Sequence, residues 1–184
     1  MQTFARERTY VTEVSAGRHC SGQVRLSMPF DISRRAMQQP PTGLEAQVQW
    51  LVDRAAIEEL LLEYGRCIDS KDFQGQADLF TEDGRVELPF AVFTRDEIPE
   101  TSASHLQHYS ALHHQYSNLS ITVDGDSATS ISYFNAVHVH GTEFEHGTVG
   151  GSYETTYRRV DGQWRLVVVR DVFTWRVGGG APGE

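Results

Sequence analysis

The chain has 184 residues, of which 39% are hydrophobic and 22% charged, a composition typical of a soluble protein with one hydrophobic core. Its net charge of −9 argues against a nucleic-acid partner, whose phosphates would be repelled. No apolar run is long enough to span a membrane, and the N-terminus lacks the apolar core of a secretion signal. Cys20 and Cys67 are too few for a disulfide framework. We therefore expect a cytoplasmic protein with no membrane partner.

The chain divides into three parts by composition. Residues 1–43 show no sustained helical period and end in the breaker cluster Gln39-Pro40-Pro41-Thr42-Gly43. We interpret them as an N-terminal extension that is flexible or contacts another subunit. Residues 44–178 carry the periodic patterns of one folded domain, and residues 179–184 are expected to form a loose tail.

The domain begins with a long amphipathic helix that places one carboxylate, Asp69, at its end. Its apolar residues recur at helical spacing and form a stripe that Asp69 adjoins. The stripe consists of Val48, Leu51, Val52, Ala55, Ile57, Leu60, Leu61, Tyr64 and Ile68. A short helix is predicted over residues 73–80 with Asp72 as its N-cap, followed by a turn at residues 81–84.

Strands dominate the remainder of the chain. A polar, partly helical segment is expected at residues 93–109, and Asp161-Gly162 is a strong hairpin signal. The predicted strands cover residues 84–90, 113–123, 127–140, 150–160 and 163–177. Helices followed by a long antiparallel meander predict an α+β domain, and a sheet curved around one helix leaves a cavity suited to a small-molecule substrate.

The candidate chemistry comes from one acid and two pairs of histidines. His138 and His140 share a parity on one strand and therefore face the same side of the sheet, whereas His113 and His114 have opposite parity, so only one points inward. An acid and imidazoles from separate elements suit proton transfer without a cofactor. A metal site is the competing interpretation, but the helical His spacing and Cys pairs that would favour it are missing.

Aromatic residues supply further candidates for substrate binding. Tyr64, Tyr133, Tyr153 and Trp175 are either core residues or ligand contacts, and a tyrosine in a cavity can donate a hydrogen bond to a developing oxyanion. We group them with His140 as candidate substrate-binding residues. The sequence contains no phosphate-binding loop or dinucleotide fingerprint, so no cofactor is expected.

Three motifs occur in a characteristic order. They are Asp69-Ser70-Lys71-Asp72-Phe73 at the helix end, Tyr157 to Arg165 in a closing hairpin, and Asp171-Val172-Phe173-Thr174-Trp175 in the last strand. Together they resemble the SnoaL-like polyketide cyclases and scytalone dehydratase, of the nuclear-transport-factor-two-like cone-fold superfamily. The resemblance covers residues 47–178. It implies a cone-shaped α+β barrel, with a curved mixed or antiparallel sheet wrapped around the long N-terminal helix.

The resemblance also implies roles for individual residues. Asp69 matches an aspartate that orients a histidine, and His113 and His138 match the two catalytic histidines. Tyr153 falls at a substrate-holding position. Ile68 and Leu88 stand where the dehydratase has two water-holding tyrosines, and neither can donate a hydrogen bond. Dehydration of the same substrate is therefore not expected, although the acid/base residues are present.

The sequence thus predicts a cofactor-independent dehydratase, isomerase or cyclase that acts on a hydrophobic, oxygenated small molecule, polyketide-like by resemblance. Residues of both parities are apolar in the last strand, so we expect a homodimer or another homo-oligomer. One alternative is a non-catalytic ligand-binding or assembly module of the same fold. Another is the small subunit of a ring-hydroxylating oxygenase.

Overall fold

A computed structural model describes residues 38–141 and 145–178. Most of the predicted extension, residues 1–37, and the predicted tail, residues 179–184, lie outside the described residues. The helices are α1 (Leu44–Ser70), α2 (Phe73–Asp78) and α3 (Ile98–Leu106), with a 3-10 turn at Arg95–Glu97. The strands are β1 (Phe80–Leu88), β2 (Ala91–Thr94), β3 (Ala111–Asp124), β4 (Ser127–His140), β5 (Glu145–Val160) and β6 (Gln163–Val177).

The strands form one mixed sheet that packs against α1. Their order is β2-β1-β6-β5-β4-β3, and every neighbouring pair is antiparallel except β1 and β6. The core joins Ile57, Tyr64 and Ile68 of α1 to apolar side chains from the sheet. The predicted α+β fold, a curved mixed sheet with a long N-terminal helix, is confirmed. No helix in the described ranges is long and apolar enough to cross a membrane.

The apolar stripe of α1 is buried only over its C-terminal part. Ile57, Leu61, Tyr64 and Ile68 are buried, whereas Val48, Leu51 and Val52 are each at least half exposed. The predicted apolar stripe is therefore exposed in the first turns of the helix. At that end of the helix the buried contact is polar, because Asp53 accepts hydrogen bonds from Arg159 Nη2 at 2.7 Å and Trp164 Nε1 at 3.1 Å.

The turn predicted at residues 81–84 is wrong, because these residues belong to β1. Phe80 pairs with Leu166 of β6, and the pairing resumes at Arg85 opposite Val168 after an irregularity. Phe80 is buried, so the strand begins earlier than its polar sequence suggests. The turn-like residues Thr81-Glu82-Asp83-Gly84 are accommodated within this irregularity of the parallel pairing.

A bulge in β3 reverses the parity of its side chains. Before the bulge the even-numbered side chains, such as Leu112 and His114, face inward. Beyond it the odd-numbered Ile121 is buried. The pairing with β4 shifts between Ser117 and Ser120, and Asn118 has a φ of 52°. Asn is one of the few residues that adopts this left-handed conformation readily. The bulge therefore decides which of the paired histidines faces inward.

Two further bulges reverse the parity of β6. Against β5, the pairing skips Val167 and Thr174. Leu166 and Val169 are consequently both buried although their parities differ. Apolar residues of both parities in β6 therefore pack partly into the same core. The outer face of the sheet is less apolar than the sequence suggested, which weakens the argument for a partner subunit that covers it. The homo-oligomer stays a prediction.

The Asp53 cluster gives a stability prediction with a matched control. Asp53→Ala leaves Arg159 Nη2 and the buried Trp164 Nε1 without their acceptor, while Arg159 Nε keeps Asp126, so it should lower the free energy of unfolding by about 3 kcal/mol. Asp83→Ala removes an ion pair to Arg158 that is exposed on both sides, and it should cost much less stability because solvent screens exposed pairs. Urea unfolding of both variants measures the difference. Equal losses would contradict the role given to Asp53.

Candidate active site

A cavity lies between α1, α3 and the inner face of the sheet. The space that it offers to the centres of water-sized molecules is about 80 Å³, several times what one water molecule needs. Most of the lining is apolar or aromatic, and the polar side chains are few. Those that could act on a ligand are His105, His114, His138, Tyr64, Tyr153 and Asp171.

The cavity-lining His114 forms a hydrogen-bonded pair with Asp69. His114 Nδ1 lies 2.7 Å from Asp69 Oδ1, and the backbone N–H of His114 donates to Asp69 Oδ2 at 3.0 Å. The His114 side chain is 6% exposed and that of Asp69 is 27% exposed, so the pair is shielded but not sealed. A carboxylate acceptor at Nδ1 favours the tautomer with its proton there. Nε2 is then left with a free lone pair for a substrate.

The end of α1 brings the carboxylate to β3. Lys71 ends the helix in the left-handed conformation, with a φ of 61°. Its ammonium group donates to the carbonyl oxygens of Tyr109 at 2.6 Å and Gln107 at 3.2 Å, just before β3 begins. Asp72 accepts from the Gly75 N–H and starts α2. Asp69, one residue before the last of the helix, is therefore held beside the start of the strand that carries His114.

The pair keeps Asp69 ionised. Burial raises the pKa of Asp69, but the hydrogen bonds from the His114 side chain and backbone outweigh it, so the pKa lies below its ordinary value. An ionised carboxylate stabilises the imidazolium that forms when the ring accepts a proton. Asp69 thus fixes the orientation of the His114 ring.

His138 lies next to His114 and has a different environment. The two ring centroids are 5.9 Å apart, and His138 is 5% exposed. Burial, together with the nearby His114 and His140, lowers the pKa of His138 to about 4. His138 is therefore neutral at neutral pH and serves as a hydrogen-bonding group rather than as a cation. Among the described residues, no three His, Cys, Asp or Glu side chains are placed to hold a metal ion.

The prediction that His113 is the inward-facing histidine is wrong. His113 is exposed, and His114 makes the contacts with Asp69. The buried side chains that follow in β3, such as Ile121, have the same odd parity as His113, but the bulge at Asn118 moves the inward face to even positions. His138 lines the cavity, and Asp69 contacts the cavity-lining His114 without being part of the lining itself; the catalytic roles of Asp69 and His138 stay predictions.

The candidate substrate-binding residues divide into two groups. Tyr64 and Tyr153 line the cavity. Tyr133 is 42% exposed because it has the outward parity of β4, and Trp175 is 46% exposed. Beyond the bulge at Thr174 the Trp175 ring covers Gly150, where an added Cβ would approach the ring to 2.3 Å. His140 shares the parity of His138 but lies outside the cavity lining. Tyr133, Trp175 and His140 therefore do not line the cavity, and their substrate-binding roles stay predictions.

Two candidate functional residues, His114 and Asp171, are not among those predicted from the sequence. The sequence predicts His113 rather than His114, and Ser117-Asn118 within β3 is the signal of the bulge that reverses this choice. Asp171 lines the cavity from β6. Its signal is an acidic residue inside the strand segment Val167-Val168-Val169-Arg170-Asp171-Val172-Phe173. An acidic residue in such an apolar strand must either face solvent or, if it is buried, have its charge paired or neutralised.

Comparison with known proteins identifies the family. Residues 49–170 match the SnoaL-like domain, which is more than half of the chain. This chain belongs to the SnoaL-like family. An uncharacterised protein of Mycobacterium tuberculosis (strain H37Rv) is 26% identical over 119 residues, which cover 62% of this chain and 81% of that relative.

Solved structures of this SnoaL-like fold include two from Novosphingobium aromaticivorans. One is named "Putative Scytalone Dehydratase"; it is 28% identical, with a TM-score of 0.67, and the match covers 73% of this chain and 92% of that chain. The other is named "Putative Aromatic Ring Hydroxylase"; it is 26% identical, with a TM-score of 0.64 and coverage of 70% and 94%. The predicted superfamily is confirmed.

The environment of His138 predicts a loss of stability in acid. Its folded pKa of about 4 lies below the ordinary 6.5, so the unfolded chain binds more protons between these values. Stability is complete above about pH 6.5 and should fall by up to about 3 kcal/mol as the pH drops through this window. Urea unfolding at several pH values measures it. His138→Gln should flatten the dependence and His113→Gln should not; an unchanged slope in His138→Gln would contradict the assignment.

Proposed function

We propose that this SnoaL-like protein is a cofactor-independent acid–base enzyme, a lyase or isomerase acting on a hydrophobic, oxygenated small molecule. The observation that carries the proposal is the 2.7 Å hydrogen bond between Asp69 Oδ1 and His114 Nδ1 at the cavity. A carboxylate that orients an imidazole is the arrangement of a general base. The family supports the same class of chemistry, because one relative of this fold is named as a dehydratase.

The roles follow from the environments of the three groups. His114 Nε2 accepts a proton from a carbon or hydroxyl of the substrate, and Asp69 stabilises the resulting imidazolium. His138, kept neutral by its burial, donates or accepts a hydrogen bond beside the reacting atoms. The proton leaves His114 again when it is delivered to a leaving hydroxyl or to another carbon of the substrate. The first outcome is a dehydration, and the second is an isomerisation or ring closure.

Two apolar residues of the cavity lining bear on which substrate the protein would accept. Ile68 and Leu88 both line it, at the positions where scytalone dehydratase carries water-holding tyrosines in the resemblance described above. Neither side chain can position a water molecule or a departing hydroxyl. We therefore propose a polyketide-like substrate that differs from that of the dehydratase.

Paired histidine variants test the proposal. His114→Gln removes the base, and His113→Gln makes the same change at the exposed neighbouring position. General acid–base catalysis contributes roughly 10²- to 10⁴-fold. On a substrate found by screening oxygenated polyketide-like compounds, His114→Gln should lose a factor in that range in kcat, whereas His113→Gln should stay near wild type. Equal activity in the two variants would refute the proposed base.

The role of Asp69 is tested by an almost isosteric change. Asp69→Asn keeps the size of the side chain but removes the negative charge, so kcat should fall sharply while the thermal unfolding temperature changes little. Ser70→Ala, at the adjacent exposed residue, is the control and should leave kcat unchanged. Near wild-type turnover in Asp69→Asn would mean that the cavity acts by shaping its ligand. Ligand binding without turnover in the wild type would indicate a non-catalytic binding module.

A further inference from the structure

The cavity lining contains a histidine, His105, that the proposed acid–base chemistry does not use. His105 belongs to α3, and its side chain is only partly buried. Its Nδ1 atom lies 2.8 Å from the backbone carbonyl oxygen of Thr101, one turn earlier in the helix. A carbonyl oxygen can only accept a hydrogen bond, so Nδ1 must carry a proton. In the neutral ring, Nε2 is therefore the acceptor.

No side chain in the described ranges occupies that acceptor. The hydroxyl group of Ser104 lies 3.3 Å from His105 Nδ1, and it donates to the same Thr101 carbonyl oxygen at 2.8 Å. Nε2 itself makes no hydrogen bond within residues 38–141 and 145–178, and it is not among their buried polar atoms. Its lone pair is thus fixed by the helix and accessible to a ligand in the cavity.

Aromatic rings extend from His105 into the cavity. Phe90 lies in the short loop between β1 and β2, with its ring 6.3 Å from that of His105 and 6.4 Å from that of Phe173. The Phe173 ring is 6.1 Å from that of Phe134, which stacks on Tyr153 at 4.5 Å. All of these side chains except Phe90 line the cavity. We call the four rings of Phe90, Phe173, Phe134 and Tyr153 the aromatic wall.

The outer end of the aromatic wall is open to solvent. Phe90 is 51% exposed, although it lies beside two residues of the cavity lining, His105 and Phe173. A flat ring placed at this end would cover apolar surface of Phe90 and Phe173 together. Aromatic pairs favour centroid distances of roughly 4.5–7 Å in tilted or offset arrangements, so the wall offers a seat for such a ring.

The polar partner of that ring must be a donor rather than an anion. His105 Nε2 accepts a hydrogen bond in the neutral imidazole, and the described residues that line the cavity include no lysine or arginine. A carboxylate would therefore lack a permanent positive charge to pair with. A phenol provides both a flat ring and an O–H donor, and it keeps its proton at neutral pH as a tyrosine side chain does.

We propose that His105, Phe90 and Phe173 form a binding subsite for a phenolic ring of the substrate. The phenol hydroxyl donates to His105 Nε2, and the ring packs against Phe90 and Phe173. The inference rests on the proposed function, whose substrate it specifies as a phenol. His105 is a binding residue that holds one end of the substrate, while His114 acts on the other end within the same cavity.

The test measures binding rather than turnover, with three probes that differ in one group. These are 4-fluorophenol, 4-fluorotoluene, in which a methyl group replaces the hydroxyl, and 4-fluorobenzoate, which carries a negative charge. Fluorine NMR titrations of the full chain at neutral pH give Kd for each probe with the wild type, His105→Phe and His108→Phe. His105→Phe keeps a ring without an acceptor. His108→Phe makes the same change at an exposed histidine outside the cavity lining.

The decisive quantity is the Kd of the toluene divided by the Kd of the phenol. Comparing this ratio between proteins cancels the difference in hydrophobicity of the two probes. The ratio should fall roughly three- to ten-fold in His105→Phe, the range expected for one neutral hydrogen bond, and stay unchanged in His108→Phe. An unchanged ratio in His105→Phe would overturn the proposal. Tighter binding of the benzoate than of the phenol, lost in His105→Phe, would show an imidazolium and refute the neutral acceptor.

Two further measurements do not depend on the folding of His105→Phe. In the wild type, 4-fluorophenol should shift the ¹⁵N resonance of His105 Nε2, and 4-fluorotoluene should not, because only the phenol donates to that nitrogen. Equal shifts with both probes would contradict the hydrogen bond. Phe90→Ala should raise the Kd of both neutral probes by a similar factor, because it removes part of the seat for the ring. Unchanged Kd values would refute the role of Phe90.

The subsite and the acid–base function fail separately. His114→Gln should keep the Kd ratio, because His114 is not the acceptor of the phenol; loss of the ratio there and not in His105→Phe would overturn the subsite. If the ratio depends on His105 but turnover does not depend on His114, the acid–base function is wrong and the subsite stands. If turnover depends on His114 but the ratio is unchanged in His105→Phe, the subsite is wrong and the function stands.

Discussion

The hydrogen bonds between Asp69 and His114 are the constraint on which the site depends. They join the last turn of α1 to β3 through two residues that are 45 positions apart in the chain. A carboxylate at the C-terminal end of a helix is unfavourable, because the helix dipole is negative there. The side-chain and backbone N–H groups of His114 offset that cost. The same contacts orient the imidazole, so the joint between helix and sheet is also the candidate catalytic base.

The candidate site holds three ionisable groups in different states because their surroundings differ. Hydrogen bonds keep Asp69 ionised, and burial keeps His138 neutral. Asp171 has burial and no compensating charge, which favours its protonated form. Environments that push apart the pKa values of neighbouring groups separate acid from base within one site. The desolvated groups cost stability, a cost that proteins tolerate chiefly where function requires it.

Most of the fold and half of the candidate site could be predicted from the hydrophobic periodicity and the turn signals of the sequence. The helical period located α1 and its terminal Asp69, and the strict alternation of β4 placed His138 inward. Bulges account for the main errors, because a bulge depends on how two strands pair and leaves little trace in either one. Because of the bulge at Asn118, His114 rather than His113 faces inward. Because of the bulge at Thr174, the side chain of Trp175 points away from the cavity.

The tautomer of His114 tests the central claim most directly. Long-range ¹H–¹⁵N correlation spectra of the protein at neutral pH distinguish a protonated ring nitrogen from one with a free lone pair. The hydrogen bond to Asp69 predicts a proton on Nδ1 and an unprotonated Nε2, and Asp69→Asn should weaken that preference. A neutral His114 with its proton on Nε2 would contradict the account, because no lone pair would then be available to accept a proton from a substrate.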